Sequence, residues 1–338
     1  MNQTTMMHKI SQYFFEDNCY FTPYYSDGLI RLFAEKGLLD NTILGGQFRL
    51  KTIEYLTSNN LKIDFYGEIN NYDLVFTCSD LLIPQNIKDK KIVLVQEGMT
   101  DHENILFYLV KKLNLPAWIA GTSTTGISNA YTKFCVASQG YKELFIRKGA
   151  KPEKIEITGI PNFDNCKEFL KNDFPYKNFV LAATSDSRET LKFEKRKEFI
   201  RNCLLIANGR QLIFKLHPNE NHERAEREIN KTAPGALVLK DGNTNHMIAN
   251  CETLITTYSS VVFIGLALNK EVYSLFDINQ LKRLLPIQNG GQSAKNIAMV
   301  GKKLLKNNFN LSEELYKDKF FEKELMTNNH EASFGVLV

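Results

Sequence analysis

The sequence predicts an α/β protein of two halves, each built on a parallel sheet. Three observations point there. Short, unalternated runs rich in Val, Ile, Leu and Phe alternate with longer amphipathic stretches along most of the chain, as strands buried on both faces and their crossover helices should. At 338 residues the chain outgrows one ordinary core and suits two domains of about 150 residues each. Its apolar fraction of 43% and charged fraction of 24% are those of a folded globular protein.

In the first half, strands are predicted at 62–66, 73–78, 92–96, 133–137 and 155–158, with helices at 27–36, 103–113 and 139–148. The second half has strand runs at 179–183, 212–215, 236–239, 253–256 and 272–275, and helical patterns at 193–207, 225–231, 259–268 and 295–305. Between the halves, Pro161, Asn165, Asn172 and Pro175 interrupt the periodicity before the strand at Phe179. This break divides the chain into domains 1–166 and 167–310. The remainder, 311–338, carries mixed charges over 312–325 and predicts a helix that packs back on the first domain. Two sheets facing across a cleft are a natural way to grip a nucleotide.

The net charge is +4, and the basic runs at 88–91, 192–201 and 302–306 are broken by acids or fall on predicted helix surfaces, which speaks against a nucleic-acid interface. The slight positive balance suits an anionic substrate and leaves room for a peripheral contact at the inner membrane face. Cys19, Cys78, Cys135, Cys166, Cys203 and Cys251 show no C-x-x-C spacing, so reduced thiols are expected rather than a metal site or a disulfide framework. No run approaches the about 20 apolar residues of a membrane span, and no secretory segment opens the chain, so a cytoplasmic protein is expected.

Three constellations carry the chemistry. In Phe214-Lys215-Leu216-His217-Pro218-Asn219-Glu220 a buried strand ends in a cation and an imidazole, and Pro218 stops the ladder. Strand C-termini are where open α/β sheets bind ligands. His217 is therefore a candidate partner for a phosphate or a nucleotide sugar, with Lys215 adding charge; the alternative is a histidine satisfied within its own turn. In Leu254-Ile255-Thr256-Thr257-Tyr258-Ser259-Ser260-Val261 a strand runs into hydroxyls just before a predicted helix. Ser259 and Ser260 then either meet an anion at the helix N-terminus or simply cap it. Because both loops follow strands of one predicted sheet, they can converge on one ligand.

The third constellation is Val93-Leu94-Val95-Gln96-Glu97-Gly98-Met99-Thr100-Asp101-His102. Glu97 stands at a strand end, placed to act as a general base toward an acceptor hydroxyl, or else as a solvated loop acid. Asp101 precedes a predicted helix and is either its N-cap or a second carboxylate. Two further loops are candidates. Thr184, Ser185 and Arg188 follow the first strand of the second half and can reach a donor phosphate, while Gly121-Thr122-Ser123-Thr124-Thr125-Gly126 either covers an acceptor or turns a corner.

Taken together, Gln96-Glu97-Gly98, His217-Pro218 and Ser259-Ser260 resemble the acidic-acidic-Gly, His-Pro and Ser-Ser motifs of the GT-B glycosyltransferases that use CMP-activated sugars. Bacterial sialyltransferases, polysialyltransferases and capsule Kdo transferases carry these motifs in this order. Gln96 departs from the pattern, standing where the family has an acid, which leaves Glu97 as the base. The resemblance implies two facing Rossmann-like domains with an interdomain cleft, and a CMP moiety held by His217, Ser259 and Ser260 with Pro218 and Tyr258 beside them. It also implies no metal and no cofactor, the nucleotide-sugar being a substrate. The partners so implied are a CMP-sugar donor, of sialic acid or Kdo type, and a hydroxyl of a surface polysaccharide or glycolipid.

Two neighbouring families share parts of the pattern. Tyr258-Ser259-Ser260 with Leu268-Asn269-Lys270 is similar to CDP-glycerol glycerophosphotransferases, whose Trp-His-Gly motif has no counterpart here because the only Trp, Trp118, precedes Ile119. Ile157-Thr158-Gly159-Ile160-Pro161-Asn162-Phe163-Asp164 with His217-Pro218-Asn219 looks like UDP-N-acetylglucosamine 2-epimerases. Those pair a Glu-Ala-Gly-Leu-Arg signature with Asp-Ser-Gly-Gly; here Gln96–Thr100 and Thr257–Ser260 lack the Arg and the Gly pair. A non-catalytic nucleotide-sugar sensor is the third class, and the presence of Glu97 speaks against it.

Overall fold

The computed structural model describes residues 2–23, 27–37, 46–189, 193–306 and 335–337. The strands are β1 (Asn18–Tyr20), β2 (Leu74–Thr77), β3 (Lys91–Val95), β4 (Lys133–Val136), β5 (Ile155–Ile157), β6 (Val180–Ala183), β7 (Leu212–Lys215), β8 (Leu237–Leu239), β9 (Thr253–Thr256), β10 (Glu271–Tyr273) and β11 (Gly335–Leu337). The helices are α1 (Asn2–Ser11), α2 (Gly28–Glu35), α3 (Gly46–Ser58), α4 (Ile105–Leu113), α5 (Gln139–Lys148), α6 (Arg196–Ala207), α7 (His222–Thr232), α8 (Thr244–Asn250), α9 (Val262–Ala267), α10 (Ile278–Leu284) and α11 (Ser293–Lys306). The chain divides into two compact units, Met1–Asp164 with Asn289–Val338, and Asn165–Gln288.

The first unit holds a six-stranded sheet in the order β1-β11-β2-β3-β4-β5, and every pairing in it is parallel. The interior strands β2, β3 and β4 are buried almost throughout, as their Leu-Val-Phe, Ile-Val-Leu-Val and Phe-Cys-Val runs require. Met6, Ile10 and Phe14 from the N-terminal segment and Ala294, Ile297, Ala298 and Leu305 of α11 close one core over Leu74, Phe76, Val93 and Val95. Gly301 sits mid-helix because a Cβ there would stand 2.6 Å from the Phe76 ring and 2.9 Å from Leu74. Its cost in helix propensity, about 1 kcal/mol, is offset by that close approach.

The second unit holds a five-stranded sheet in the order β10-β9-β6-β7-β8, again all parallel. Val180, Ala182, Phe214, Leu216 and Ile255 pack against Ile200 and Cys203 of α6 and Ala225 and Ile229 of α7. Both units are thus α/β layers around parallel sheets, the fold class expected from the unalternated strand runs.

Two expectations are corrected. The run 62–66 is not a strand; only Ile63 forms an isolated bridge, to Phe21. The first sheet recruits β1 and β11 instead, three-residue strands too short to leave a periodic signal. The return to the first unit comes at Asn289, not near 310, because the apolar face of α11 belongs to the first core. Buried Asp164 pins that crossing: its carboxylate accepts from the N–H groups of Asn289 (2.5 Å) and Ser293 (2.6 Å), capping α11. The helix expected at 312–325 lies outside the described residues, and Gly335–Leu337 joins the first sheet as β11.

Among the described residues no helix is long and apolar enough to cross a membrane, and no cluster of three or more metal-ligating side chains occurs. Cys135, Cys166, Cys203 and Cys251 are buried, and burial pushes the thiols of Cys135, Cys203 and Cys251 up to about 12.

Candidate functional site

The register of the second sheet sets the geometry. Ala183 pairs with Lys215 on one side and with Thr256 on the other, so β6, β7 and β9 end at the same level. The loops that follow them, beginning at Thr184, Leu216 and Thr257, therefore emerge together. In chain order β6 is the first strand of this sheet, β7 and β8 extend it one way, and β9 and β10 the other. The order reverses between β6 and β9, and a crevice for ligand opens at the carboxyl ends of such a pair. The structure thus brings Thr184, Ser185, His217, Pro218, Tyr258, Ser259 and Ser260 to one edge of one sheet.

Thr184 is the hub of that edge. Its buried hydroxyl donates to Glu220 Oε1 (2.8 Å), with the Lys215 carbonyl at 3.2 Å, and accepts the backbone N–H of His217 at 2.9 Å. Glu220, also buried, takes a second bond from Arg196 Nη2 at 2.7 Å, and the same nitrogen reaches the Ser185 carbonyl at 3.2 Å. The imidazole of His217 is half-buried, and its Nδ1 accepts the N–H of Asn219 at 3.2 Å. That bond assigns the proton of the neutral ring to Nε2, which is then a donor for a ligand oxygen. Asp186 Oδ2 stands 3.6 Å from Nδ1 and accepts from the Asn219 side chain at 3.1 Å. Pro218 lies in the turn closed by the Glu220 N–H on the His217 carbonyl, and α7 starts only at His222, capped by Asn221.

Two cations expected at the donor are occupied elsewhere. The buried Lys215 ammonium donates to the carbonyls of Leu216 (2.6 Å) and Lys240 (2.9 Å), tying β7 to the end of β8, and burial lowers its pKa. Arg188 is held bidentately by Glu228 at 3.0 and 2.8 Å, with Glu194 at 3.4 Å. Ser185 bonds Ser187 and Glu194, so its hydroxyl also serves this network. With Arg196 on Glu220 and Glu194, and Arg224 on Glu189, the basic side chains around these loops already have partners.

The loop after β9 differs from expectation in its helix. The helix begins at Val262 rather than Ser259 and runs only to Ala267. The N–H groups of Val262 and Phe263 are already bonded to the carbonyls of Ser259 and Ser260. An anion here would meet the serine hydroxyls, not the dipole of a long helix. Tyr258 is 60% exposed and lies edge-on to Phe276 at 5.1 Å, which leaves ring surface for stacking. The hydroxyls of Thr256 and Thr257 are buried without a hydrogen-bond partner. Sequence reasoning missed Thr257, Glu220 and Asp186; the hydroxyl pair at 256–257 was the one signal available.

Glu97 and Asp101 belong to the first unit, in the segment that follows β3. Glu97 Oε2 accepts from the Gln3 side chain at 2.6 Å, and its carbonyl accepts from Asn162. Asp101 is not a helix cap; Asn104 caps α4, and the Asp101 carboxylate accepts from the Thr122 hydroxyl at 2.7 Å. Gln96 is buried, accepting the Ala137 N–H at 2.9 Å and donating to the Gly98 carbonyl at 2.7 Å. A carboxylate cannot make the second bond, which gives the departure from an acid at this position a physical reason. The segment 121–126 is not an open loop: Ser123 and Thr124 are buried, with hydroxyls donating to the carbonyls of Ala120, Ala117 and Gly121.

No family profile matches the sequence, and no curated protein matches it significantly. Solved structures do. A UDP-GlcNAc 2-epimerase from Neisseria meningitidis, bound to UDP-GlcNAc, superposes with a TM-score of 0.52 at 12% identity, covering 86% of this chain and 100% of that one. The Methanocaldococcus jannaschii UDP-GlcNAc 2-epimerase with UDP-GlcNAc and UDP gives 0.46 at 14% identity over 88% and 96%. The wall teichoic acid polymerase TagF gives 0.45 at 12% identity over 89% and 94%. At these identities the likeness is one of fold: the chain has an α/β architecture of the GT-B type, with a parallel sheet in each unit.

Proposed function

We propose that this protein is a glycosyltransferase that moves a sugar from a nucleotide-activated donor, preferentially a CMP-sugar of sialic acid or Kdo type, to a hydroxyl of a surface polysaccharide or glycolipid. The observation that carries the reading is the common level at which β6, β7 and β9 end, which gathers Thr184, His217 and Ser259-Ser260 at a switch point of the second sheet. The donors gathered there are neutral, because Lys215, Arg188, Arg196 and Arg224 are engaged by carbonyls or carboxylates. Neutral donors suit the single charge on the phosphodiester of a CMP-sugar, whose second charge lies on the sugar carboxylate, better than the two charges of a diphosphate.

In this reading the acceptor oxygen attacks the anomeric carbon, the bond from that carbon to the donor phosphate oxygen breaks, and Glu97 takes the hydroxyl proton. Asp101 is the alternative base. The Nε2–H of His217 and the hydroxyls of Ser259 and Ser260 stabilise charge on the departing phosphate, the work of a preorganised anion site. Tyr258 offers its face to the base. No metal or cofactor takes part, and the enzyme works in the cytoplasm.

The second reading is an enzyme acting on UDP-N-acetylglucosamine without an acceptor, favoured by the whole-chain fold likeness to a 2-epimerase. A CDP-glycerol-dependent transferase is third. Calorimetry with CMP, CDP, UDP and GDP, on wild type and on His217→Ala and Ser259→Ala/Ser260→Ala, separates them. Selective CMP binding, lost in both variants, is the expected result. Preference for UDP would transfer the site to the epimerase reading, preference for CDP to the glycerophosphotransferase, and a folded protein that binds none of the four has no nucleotide site.

A further inference from the structure

Helix α4 is hydrophobic on the side it exposes. Its sequence, ILFYLVKKL, is apolar nearly all round, a pattern that ordinarily marks a helix buried on every side. Only Phe107 and Val110 are buried. Ile105, Leu106, Leu109 and Leu113 fall at helical spacing on one stripe and face solvent, Ile105 at 79% and Leu113 at 59%. Just past the helix, Leu115 and Trp118 are exposed as well, Trp118 at 52%. Contiguous exposed apolar side chains on this scale mark a docking surface.

The surroundings of the stripe select the partner. Lys111 and Lys112 occupy the last turn of α4, and the Lys111 ammonium reaches the Lys148 carbonyl on α5. Arg147, the neighbour of Lys148, is exposed and close enough for its charge to act on the Tyr108 phenol. Against these stand Glu103, which accepts from the Tyr108 hydroxyl at 3.1 Å, and exposed Asp101, whose charge like that of Glu103 acts on Lys148. Tyr108 on the helix and Trp118 in the turn after it are exposed amphipathic rings, of the kind that settle at the boundary between headgroups and acyl chains. Aliphatic side chains bordered by lysine, arginine and interfacial aromatics match a bilayer whose headgroups are negative.

We propose that α4 and the following turn through Trp118 dock this protein peripherally on an anionic phospholipid surface. The helix lies in the plane of the interface, its aliphatic stripe entering the acyl boundary while Lys112 and Arg147 contact headgroup phosphates. This docking is independent of the donor nucleotide and stands or falls apart from it.

The test uses the full chain and its single tryptophan, Trp118, as reporter. Vesicles of phosphatidylcholine alone, and of phosphatidylcholine with phosphatidylglycerol, are added while tryptophan emission is followed and flotation is measured. A blue shift and flotation with the anionic vesicles only, weakened by salt, are expected. Leu109→Gln/Leu113→Gln alters exposed positions only and should lower the vesicle partition on the order of a hundredfold, while Lys112→Glu/Arg147→Glu should abolish the preference for anionic lipid. Circular dichroism and a wild-type urea denaturation midpoint confirm that both variants fold. Absence of flotation overturns the proposal, as does flotation that both variants leave intact. A blue shift that appears without lipid as protein concentration rises would show that a second copy covers the stripe, and a wild-type emission already blue-shifted at high dilution would show that the chain covers it itself; either result overturns it.

Discussion

Thr184 is the atom-level hinge between the buried charges of the second unit and the imidazole at its edge, and Thr184→Val tests that role. Valine keeps the shape and volume, so no cavity opens, but removes one hydroxyl. The His217 N–H then loses its acceptor at 2.9 Å and Glu220 loses its donor at 2.8 Å. The Lys215 carbonyl keeps the Thr184 N–H at 3.1 Å, and Glu220 keeps Arg196 at 2.7 Å, so the damage is confined to two groups. An orphaned buried N–H costs about 1–3 kcal/mol and a lost bond to a buried carboxylate about 1.5–3, so a destabilisation of about 3–5 kcal/mol is expected. Because the His217 backbone is no longer held, CMP affinity should fall with stability. Urea denaturation followed by circular dichroism measures the first and calorimetry the second. Thr184→Ser keeps the hydroxyl and should recover most of both, losing only about 1 kcal/mol for the methyl group. A valine variant within about 1 kcal/mol of wild type, binding CMP as tightly, would refute the reasoning, since it would mean that the hydroxyl orders neither partner.

Two further perturbations probe the first unit. Burial, partly opposed by Glu103 and Asp101, holds the Lys148 ammonium down to about 8, against 10.5 for a free lysine. The unfolded chain therefore binds the extra proton between those values, and stability attributable to this group rises with pH through that window. Lys148→Met should be more stable than wild type at pH 7 and lose the advantage, at most about 3 kcal/mol, by pH 10; parallel denaturation curves at the two pH values would count against it. Gln96→Glu places an acid where the CMP-sugar transferases that the motif resembles have one, but sets a buried oxygen against the Gly98 carbonyl in place of the 2.7 Å donor bond. It should cost about 3–5 kcal/mol at pH 7.5 and recover in part at pH 5, where a protonated carboxyl can donate again. Equal denaturation midpoints for Gln96→Glu and wild type at pH 7.5 would show that the amide's double bond is not needed.

Strand identity was legible because it is local. The runs that became β3, β6, β7 and β9 have unalternated apolar centres bounded by polar turns, so the pattern located them, and with them the loops holding Glu97, Thr184, His217 and Ser259. The pairing of β1 with β11 was not legible, since three residues at either end of a chain carry no period. Nor was the return of the chain at Asn289, which rests on the apolar face of α11 meeting the first core and on bonds to Asp164 and Thr158, more than 120 residues earlier in sequence.

For the candidate site, the sequence by itself determined which residues stand at strand ends, His217 and the hydroxyls of Thr184, Ser259 and Ser260 among them. Tertiary structure alone decided which of them are available. Lys215 and Arg188 read as donor-site cations until the fold supplied the Lys240 carbonyl and Glu228 as their partners. Likewise, only the fold shows that, among the described residues, Ile105, Leu109 and Leu113 of α4 stand exposed. Backbone conformation follows from neighbours in sequence, but the free energy of a charge or an apolar surface is set by what long-range packing brings against it, or fails to bring.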